Sequence, residues 1–328
     1  PGATYDPVST TATIDGTTQP GWASTPVVEL NGASAPAGTA GLTVTGDNSE
    51  IRGLAINRFD DDAILVEAGA SGTVIAGNHL GTDPSGTVDR GNGDRGIDLT
   101  TGSGPTTVGG TNVADRNLVS GNDNDGMVIW QSDGNVVINN FFGTDVTGNA
   151  PLPNVADGLV LGGTSSNNTI GQPGYGNILS GNGADGLELD NDLTGNVIQA
   201  NTMGLGADGT TIVANTRYGL VLYDGVNNTQ VGGTAAGEGN LISGNTSRGI
   251  HIDGNGNAAT SDNVIEGNLI GTDASGTIAK PNSSGVFVEE GATNTTIGGT
   301  APGAGNVISG NTEDGIYLTS AGTDGTTI

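Results

Sequence analysis

Carboxylates and aromatic rings recur at matching places in successive segments of this chain, in a pattern that can hold sugars. Around Glu188, Tyr223 and His251, apolar residues alternate with these side chains, so one face of each segment carries them. Aromatic rings beside carboxylates suit sugar rings, which offer apolar faces and hydroxyl edges. The candidate ligand-binding residues are therefore Trp130, Glu188, Asp190, Tyr223, His251 and Asp253.

Three of these residues, Glu188, Asp190 and Asp253, are also the best candidates for acid–base chemistry. Carboxyl groups about 5–10 Å apart are used in glycoside hydrolysis. However, an acidic chain offers such pairs by chance, and no catalytic motif accompanies this set. We therefore assign no catalytic residue, and the plainer interpretation is a solvated face that carries a few large side chains.

The turns after these segments are rich in oxygen ligands. DNDLTG, from Asp190, begins like an EF-hand loop, but its twelfth residue is Asn201 instead of Glu and no helices flank it, so a true EF-hand is excluded. Oxygens from adjacent turns could still bind Ca²⁺, the one cofactor that the sequence indicates, although Asp and Asn are also ordinary turn formers. The candidate metal ligands are Asp190, Asp192, Asp224, Asp253 and Asn255.

A second acidic pattern occurs at the start of successive turns, where Asp125, Asp157 and Asp185 take one equivalent position. Carboxylates about 5 Å apart repel by about 1 kcal/mol in water and by more at lower dielectric. Solvent screening can tolerate this repulsion, and a bound cation would relieve it.

Short runs of alternating apolar residues position these side chains. The segment 248–277 holds three such runs, GIHI, NVIEG and NLIG, separated by turn formers. Two kinds of turn with this plan alternate, and the last Asn of the recurring NxISGN-type motif falls at 122, 182, 245 and 311, so a pair of turns takes about sixty residues. With no helical periodicity, the pattern predicts an all-β parallel solenoid, or parallel β-helix, with three strands per turn.

The three runs define a first, a second and a third sheet, in chain order. We predict about nine complete turns with partial turns at both ends. The chain is a single domain in which residues 1–40 form an irregular opening with a partial first coil and residues 41–328 form the regular turns. Because the last repeat is incomplete, we expect the sequence to be a piece of a longer protein.

Asparagines recur at the corner before the third strand of each turn, where they are expected to stack as an amide ladder. Each buried hydrogen bond in such a ladder contributes on the order of 1 kcal/mol. The predicted members are Asn78, Asn117, Asn140, Asn177, Asn201, Asn240, Asn268 and Asn306.

The outward positions of the third sheet are nearly all apolar, which is unusual for an exposed surface. Either the inserted loops cover this stripe or a partner does, and we expect the loops, because the longest insertions begin right after this strand. If a partner covers the stripe instead, the interface residues are Leu118, Phe141, Ile178, Leu241, Leu269 and Val307.

Composition excludes several classes of partner. The net charge of −27, with 8 Lys+Arg, argues against nucleic acid and anionic membranes, and no apolar run is long enough to span a bilayer. The absence of cysteine excludes disulfides and thiolate metal sites. A strongly anionic surface would also repel anionic polysaccharides.

The NxISGN and GNxIGTDxxGT motifs resemble the repeats of right-handed parallel β-helix regions in large secreted bacterial surface proteins, a pectate-lyase-like superfold. The resemblance implies the handedness and a location outside the cell or on its surface. Pectate lyases would require an arginine base beside a calcium site, but the arginines are scattered over the turns, and the polygalacturonase motifs are absent. Lyase activity on uronates is therefore not expected.

Together these features favour a non-catalytic extracellular structural or adhesive segment of a larger surface protein or filament over an enzyme. The expected partners are a polysaccharide or neighbouring copies of the chain. The alternative is a carbohydrate-active enzyme or carbohydrate-binding β-helix that uses the first-sheet face around the candidate ligand-binding residues.

Overall fold

The computed structural model describes residues 5–254 and 259–328. Within them the chain forms three parallel sheets of 10 strands each, and two short 3-10 helices, Gly16–Thr18 and Val113–Asp115. Each strand pairs with the equivalent strand one turn on, so the chain coils as a three-sided parallel β-helix. Among these residues, no helix is long and apolar enough to cross a membrane.

The strand bounds show how regularly the turns repeat. The first sheet contains β3 Leu42–Val44, β6 Ile64–Val66, β9 Ile97–Leu99, β12 Met127–Trp130, β15 Leu159–Gly162, β18 Leu187–Asp190, β21 Leu220–Tyr223, β24 Ile250–Asp253, β27 Val286–Glu289 and β30 Ile316–Leu318. The second contains β1 Thr13–Asp15, β4 Glu50–Arg52, β7 Thr73–Ala76, β10 Thr106–Gly109, β13 Val136–Ile138, β16 Thr169–Ile170, β19 Val197–Ile198, β22 Gln230–Gly232, β25 Val264–Glu266 and β28 Thr296–Ile297. The third contains β2 Val28–Asn31, β5 Leu54–Asn57, β8 His79–Leu80, β11 Leu118–Val119, β14 Phe141–Phe142, β17 Ile178–Leu179, β20 Thr202–Met203, β23 Leu241–Ile242, β26 Leu269–Ile270 and β29 Val307–Ile308.

This order confirms the predicted fold class. In the described residues, nine complete turns run from β3 to β29, with β1 and β2 before them and β30 after them. Two strands thus lie inside the irregular opening that was expected over residues 1–40. They pair with β4 and β5, because their alternating sequences continue the register of the first complete turn.

The core is a continuous column of aliphatic side chains inside the coil. Ile250 and Ile252 of β24 are fully buried, as the alternation predicts, and they stack on Leu220 and Leu222 of the preceding turn. Phe142 is among the largest fully buried side chains. Since every turn buries its apolar face only against its neighbours, the stability of the rod depends on stacking in register.

The structure places the eight predicted asparagines in one continuous ladder. Each side-chain amide donates to the Oδ1 of the next, over distances from 2.9 Å for Asn177 to Asn201 to 3.1 Å for Asn78 to Asn117. Each amide also donates to a second-sheet carbonyl, as Asn177 does to Val137 at 2.8 Å. The ladder therefore ties the second sheet to the third from the turn of Asn78 to the turn of Asn306.

A second asparagine ladder, which we did not predict, lies at the corner between the third sheet and the first. Half of its members are the last asparagines of the NxISGN-type motif, from which only the repeat length was inferred. The other half come from inserted loops that share no motif. The ladder comprises Asn92, Asn122, Asn154, Asn182, Asn215, Asn245, Asn282 and Asn311.

The proposed interface stripe of the third sheet is mostly covered by the chain itself. Leu118, Phe141, Ile178 and Leu241 are buried, Leu269 is half-buried, and Val307, near the end of the chain, is 40% exposed. The loop glycine Gly148 packs so closely that an added Cβ would lie 2.8 Å from Cε2 of Phe141.

The covering loops also bond to one another across turns. The amides of Val146, Ala207 and Ala274 donate to carbonyls of the preceding covering loop at 2.9, 2.9 and 3.1 Å. Inserted loops from alternate turns therefore form a layer over the buried residues, as we expected, and the alternative of a partner over those residues is corrected.

Candidate functional site

The outward face of the first sheet carries three rows of side chains that run along the rod. Strand register sets the rows, with adjacent members about 4.8 Å apart. One row lies just before the strands and contains Asp125, Asp157, Asp185, Tyr218 and Arg248. The middle row contains Glu188, Val221, His251 and Phe287, and the last contains Trp130, Gly162, Asp190, Tyr223, Asp253 and Glu289.

A cavity of about 510 Å³ opens on this face over the turns that contain β18, β21, β24 and β27. The short side chain of Val221 lies between longer neighbours in its row and leaves the floor open. The lining residues are Glu188, Asp190, Arg217, Tyr218, Val221, Tyr223, Arg248, His251, Asp253 and Glu289.

His251 lies at the floor of this cavity and is buried. Its Nε2 lies 3.0 Å from Oε1 of Glu289 and 2.8 Å from Nη1 of Arg248. Its Nδ1 is buried with no hydrogen-bond partner in the described structure. Burial, and secondarily the positive charge of Arg248, lower the pKa of His251 to about 4, so the imidazole is neutral at neutral pH.

Aromatic rings hold this imidazole in place. The ring of Tyr218 meets it edge-on with centroids 4.7 Å apart, and Phe287 packs on its other side at 5.9 Å. The guanidinium carbon of Arg248 lies 3.6 Å from the centroid of Phe287. The packing restricts the imidazole to one orientation, which is what a group that positions or exchanges protons requires.

Arg217 and Arg248 come together at this cavity, although the sequence shows them only as scattered residues. Nη1 of Arg217 lies 3.3 Å from Oδ2 of Asp185, and Nη1 of Arg248 lies 3.1 Å from Oε1 of Glu289. Both guanidinium groups lie within 5.5 Å of the centroid of the Tyr218 ring. Two of the chain's 8 basic side chains thus converge on one site in a protein of net charge −27.

Next to these arginines, the row of aspartates presents its carboxylates to backbone amides. The amide of Asp157 donates to Oδ1 of Asp125 at 3.0 Å, that of Asp185 to Asp157 at 2.6 Å, and that of Tyr218 to Asp185 at 2.8 Å. Burial, opposed by a backbone hydrogen bond, raises the pKa of Asp157 to about 7. The stacked acids are therefore stabilised by amide donors and by partial protonation.

Glu188 is the strongest candidate for a proton donor. Burial, and after it the negative charges of Asp157, Asp185 and Asp190, together raise its pKa to about 8. Burial also raises the pKa of Asp190, which lies two residues on along the same strand. A carboxyl that keeps its proton at neutral pH beside other carboxylates is the arrangement that general acid catalysis uses.

The raised pKa of Glu188 predicts a pH-dependent stability. Folding favours the protonated form of Glu188. Its contribution to the free energy of unfolding is therefore complete below the ordinary pKa of 4.5 and is lost as the pH rises through about 8. We expect the free energy of unfolding to fall by about 2 kcal/mol over that range, less than the full pKa change implies because the carboxyl keeps some solvent contact.

Urea unfolding at a series of pH values measures this effect, with Glu188→Gln as the comparison. Glutamine mimics the neutral acid, so the variant should show a shallower fall, with the remainder due to the other buried carboxyls whose pKa is raised, such as Asp157 and Asp62. A pH profile of the variant as steep as that of the unmodified chain would contradict the assignment.

The predicted ligand-binding residues are only partly brought together. Glu188, Asp190, Tyr223, His251 and Asp253 line the one cavity, whereas Trp130 lines a separate cavity of about 360 Å³. The sequence did not single out four further lining residues, Arg217, Tyr218, Arg248 and Glu289. The sequence contained a signal for Tyr218 and Arg248, because both take the position of Asp125, directly before the glycine that precedes a first-sheet strand.

The predicted metal ligands do not form one group. Asp190 and Asp253 line the cavity, whereas Asp192 lies in a corner turn, where its amide donates to the carbonyl of Asp224 at 2.9 Å. Asn255 lies outside the described residues. In the described parts of the chain, ligand atoms come within 4.8 Å of one another in three other groups, His251–Asp253–Glu289, Asp61–Asp62–Asp94 and Asp157–Asp185–Glu188. Calcium binding stays a prediction.

Comparisons with known proteins identify the fold. No protein-family profile and no curated protein matches the chain. Among solved structures, it is similar to a periplasmic alginate epimerase, AlgG, with a TM-score of 0.52 and 14% identity over 96% of this chain and 73% of that one. It is also similar to the A-module of the Azotobacter vinelandii mannuronan C-5 epimerase AlgE6, with a TM-score of 0.51 and 15% identity over 97% of this chain and 90% of that one.

At these identities the likeness establishes the fold, a right-handed parallel β-helix, and so confirms the fold that the resemblance in the repeats implied. The same comparison corrects two expectations. The prediction of a non-catalytic structural or adhesive segment was wrong, and so was the preference against an enzyme, because these matched β-helices are polysaccharide epimerases. The findings favour the carbohydrate-related alternative.

Proposed function

We propose that this chain is a polysaccharide-active enzyme that binds a glycan along the first-sheet face and acts on it by proton transfer. The observation that carries the proposal is Glu188, a carboxyl with a pKa of about 8 that opens onto the 510 Å³ cavity. The cavity also offers Tyr223 as an aromatic wall and a neutral His251. The fold is one that polysaccharide epimerases use, which supports the substrate class without identifying the substrate.

The reaction that this geometry favours is hydrolysis of a glycosidic bond. Glu188 gives its proton to the glycosidic oxygen as the bond to the anomeric carbon breaks, and a water attacks that carbon from the opposite side. Asp190 accepts the proton of the water and then releases it to solvent, while solvent returns a proton to Glu188. Residues two apart on a strand are about 6.7 Å apart at Cα, which suits carboxyl separations of about 6.5–9.5 Å in inverting enzymes.

A second reaction class is favoured by one specific observation, the convergence of Arg217 and Arg248 beside His251. Abstraction of a proton next to a uronate carboxylate requires cationic groups that neutralise the carboxylate, and a base. The low pKa of His251 and the ion pairs of both arginines weaken this alternative, because the imidazole is a poor base and the cations are already partnered.

The test is incubation of the purified chain with xylan, mannan, mixed β-glucan, pectate and alginate. New reducing ends without unsaturated sugars indicate hydrolysis. An unsaturated uronate chromophore indicates elimination, and altered ring signals by NMR in uncut polymer indicate epimerisation. If none of these polymers is changed or bound, the proposed function fails.

We also propose that the chain meets its polymer outside the cytoplasm or at the cell surface, because a polymeric substrate does not enter a cell intact. The strong acid excess suits a salty or cation-rich medium. Fractionation of the source cells, with detection of the chain by antibody, checks this; recovery only from cytoplasm would contradict it.

A further inference from the structure

The exposed indole of Trp130 has an arrangement that the cavity around Glu188 does not explain. In the last row of the face, Gly162 follows Trp130 and precedes Asp190. An added Cβ at Gly162 would lie 2.5 Å from Cζ3 of the indole, and one at Gly163 would lie 2.7 Å from Cε2. The ring therefore lies flat against the backbone of these two glycines and extends toward the strand of Asp190.

This arrangement leaves one ring face covered by glycine backbone and the other open to solvent, with Trp130 41% exposed. Polar groups border the ring in the 360 Å³ cavity, including Thr100 and the ion pair of Arg95 with Asp98 at 2.8 Å. A flat apolar plate with hydroxyl and charged groups at its edge matches a sugar ring, which has an apolar face and a rim of hydroxyls.

We propose that Trp130 is the platform of a second sugar-binding subsite. The glycan then lies along the rod and is cut at an internal glycosidic bond instead of at its end. The proposal rests on the proposed function and deepens it. The indole lies over Gly162 of β15, one strand step or about 4.8 Å from β18, so a sugar on this ring is a neighbouring unit of the polymer to the one at Glu188.

The first measurement compares kcat/KM on size-fractionated oligosaccharides of whichever panel polymer is turned over. We expect Trp130→Ala to lower kcat/KM on long oligosaccharides by about tenfold through KM, and to lower it much less on the shortest ones that are cut. Gly162→Val should lower kcat/KM on long oligosaccharides in the same way although the indole is still present, because the valine side chain displaces the ring from its place over the glycine.

The second measurement reports binding instead of a reaction rate. The chain has two tryptophans, so Trp22→Phe leaves Trp130 as the fluorescent reporter. In a Trp22→Phe, Glu188→Gln background, the same long oligosaccharides should change the fluorescence, and the shortest should not. Trp22→Phe alone, in the turn before β2, is the matched control and should leave kcat/KM unchanged.

The outcomes separate this subsite from the function on which it rests. Loss of the length preference in both Trp130→Ala and Gly162→Val, with the fluorescence change, supports the subsite. Turnover of a polymer with an unchanged length preference in both variants overturns the subsite while the enzyme assignment stands. Absence of any turnover or binding overturns both.

Discussion

Replacing Glu188 with glutamine is expected to lower kcat on the polysaccharide substrate by about 100-fold to 10,000-fold, the usual contribution of a positioned general acid. The amide keeps the shape and neutral charge of the protonated carboxyl but has no acidic proton to give. Because the fold already favours the neutral form, the variant should fold at least as well as the unmodified chain. Initial rates of reducing-end formation measure the loss.

The pH profile provides the sharper test of this role. For the unmodified chain, kcat/KM should fall on the alkaline side as Glu188 loses its proton near its pKa of about 8. Glu67→Gln is a matched control, because it removes a carboxylate from the same face outside the cavity, and its profile should be unchanged. A Glu188→Gln variant with ordinary turnover would show that the proton comes from another group.

Replacing Asn177 with leucine should lower the free energy of unfolding by about 3–5 kcal/mol. Asn177 is fully buried and donates to Oδ1 of Asn201 at 2.9 Å and to the carbonyl of Val137 at 2.8 Å. Its Oδ1 accepts from the amide and side chain of Asn140 at 3.0 and 3.1 Å. Leucine fills a similar volume but leaves these buried polar groups without partners, so the loss comes from hydrogen bonding and not from a cavity.

Urea unfolding followed by circular dichroism measures this change, and Asn306→Leu is the matched control within the same ladder. Asn306 accepts from Asn268 and donates to the carbonyl of Ile265, and among the described residues it ends the ladder. Its replacement should therefore have a smaller effect. Equal effects at the two positions, or an effect at Asn177 no larger than that of a surface substitution, would refute a structural role for the ladder.

The covering loops explain why an apolar stripe does not imply assembly. The stripe was visible in the sequence, and so were the insertions, but which loop lies over which strand depends on tertiary contacts. Glycines such as Gly148 let the loops approach the sheet closely, and backbone hydrogen bonds then link alternate loops into one layer. The exposed exception, Val307, lies on the last strand of this sheet among the described residues.

The sequence by itself determined the solenoid, its three sheets, its inward residues and the first asparagine ladder. These follow from local rules, because a period of two assigns faces and a constant repeat assigns register. The same rules placed Glu188, Asp190, Tyr223, His251 and Asp253 on one face. The resemblance to surface-protein repeats, the regular turns and the absence of a familiar catalytic motif led to the expectation of a scaffold. None of these features reports how deeply a side chain such as Glu188 is buried.

Only the tertiary structure decided the chemistry of that face. Arg217 and Arg248 are 31 positions apart in the chain but one turn apart in space, so they converge where the sequence shows scattered residues. Whether Glu188 keeps its proton depends on how deeply its neighbours bury it and on which acids lie in adjacent turns. Loops of unequal length set both the meeting of the arginines and the burial of Glu188. Alternation along a strand does not report either feature, because desolvation and charge coupling act between turns of the coil and not along the chain.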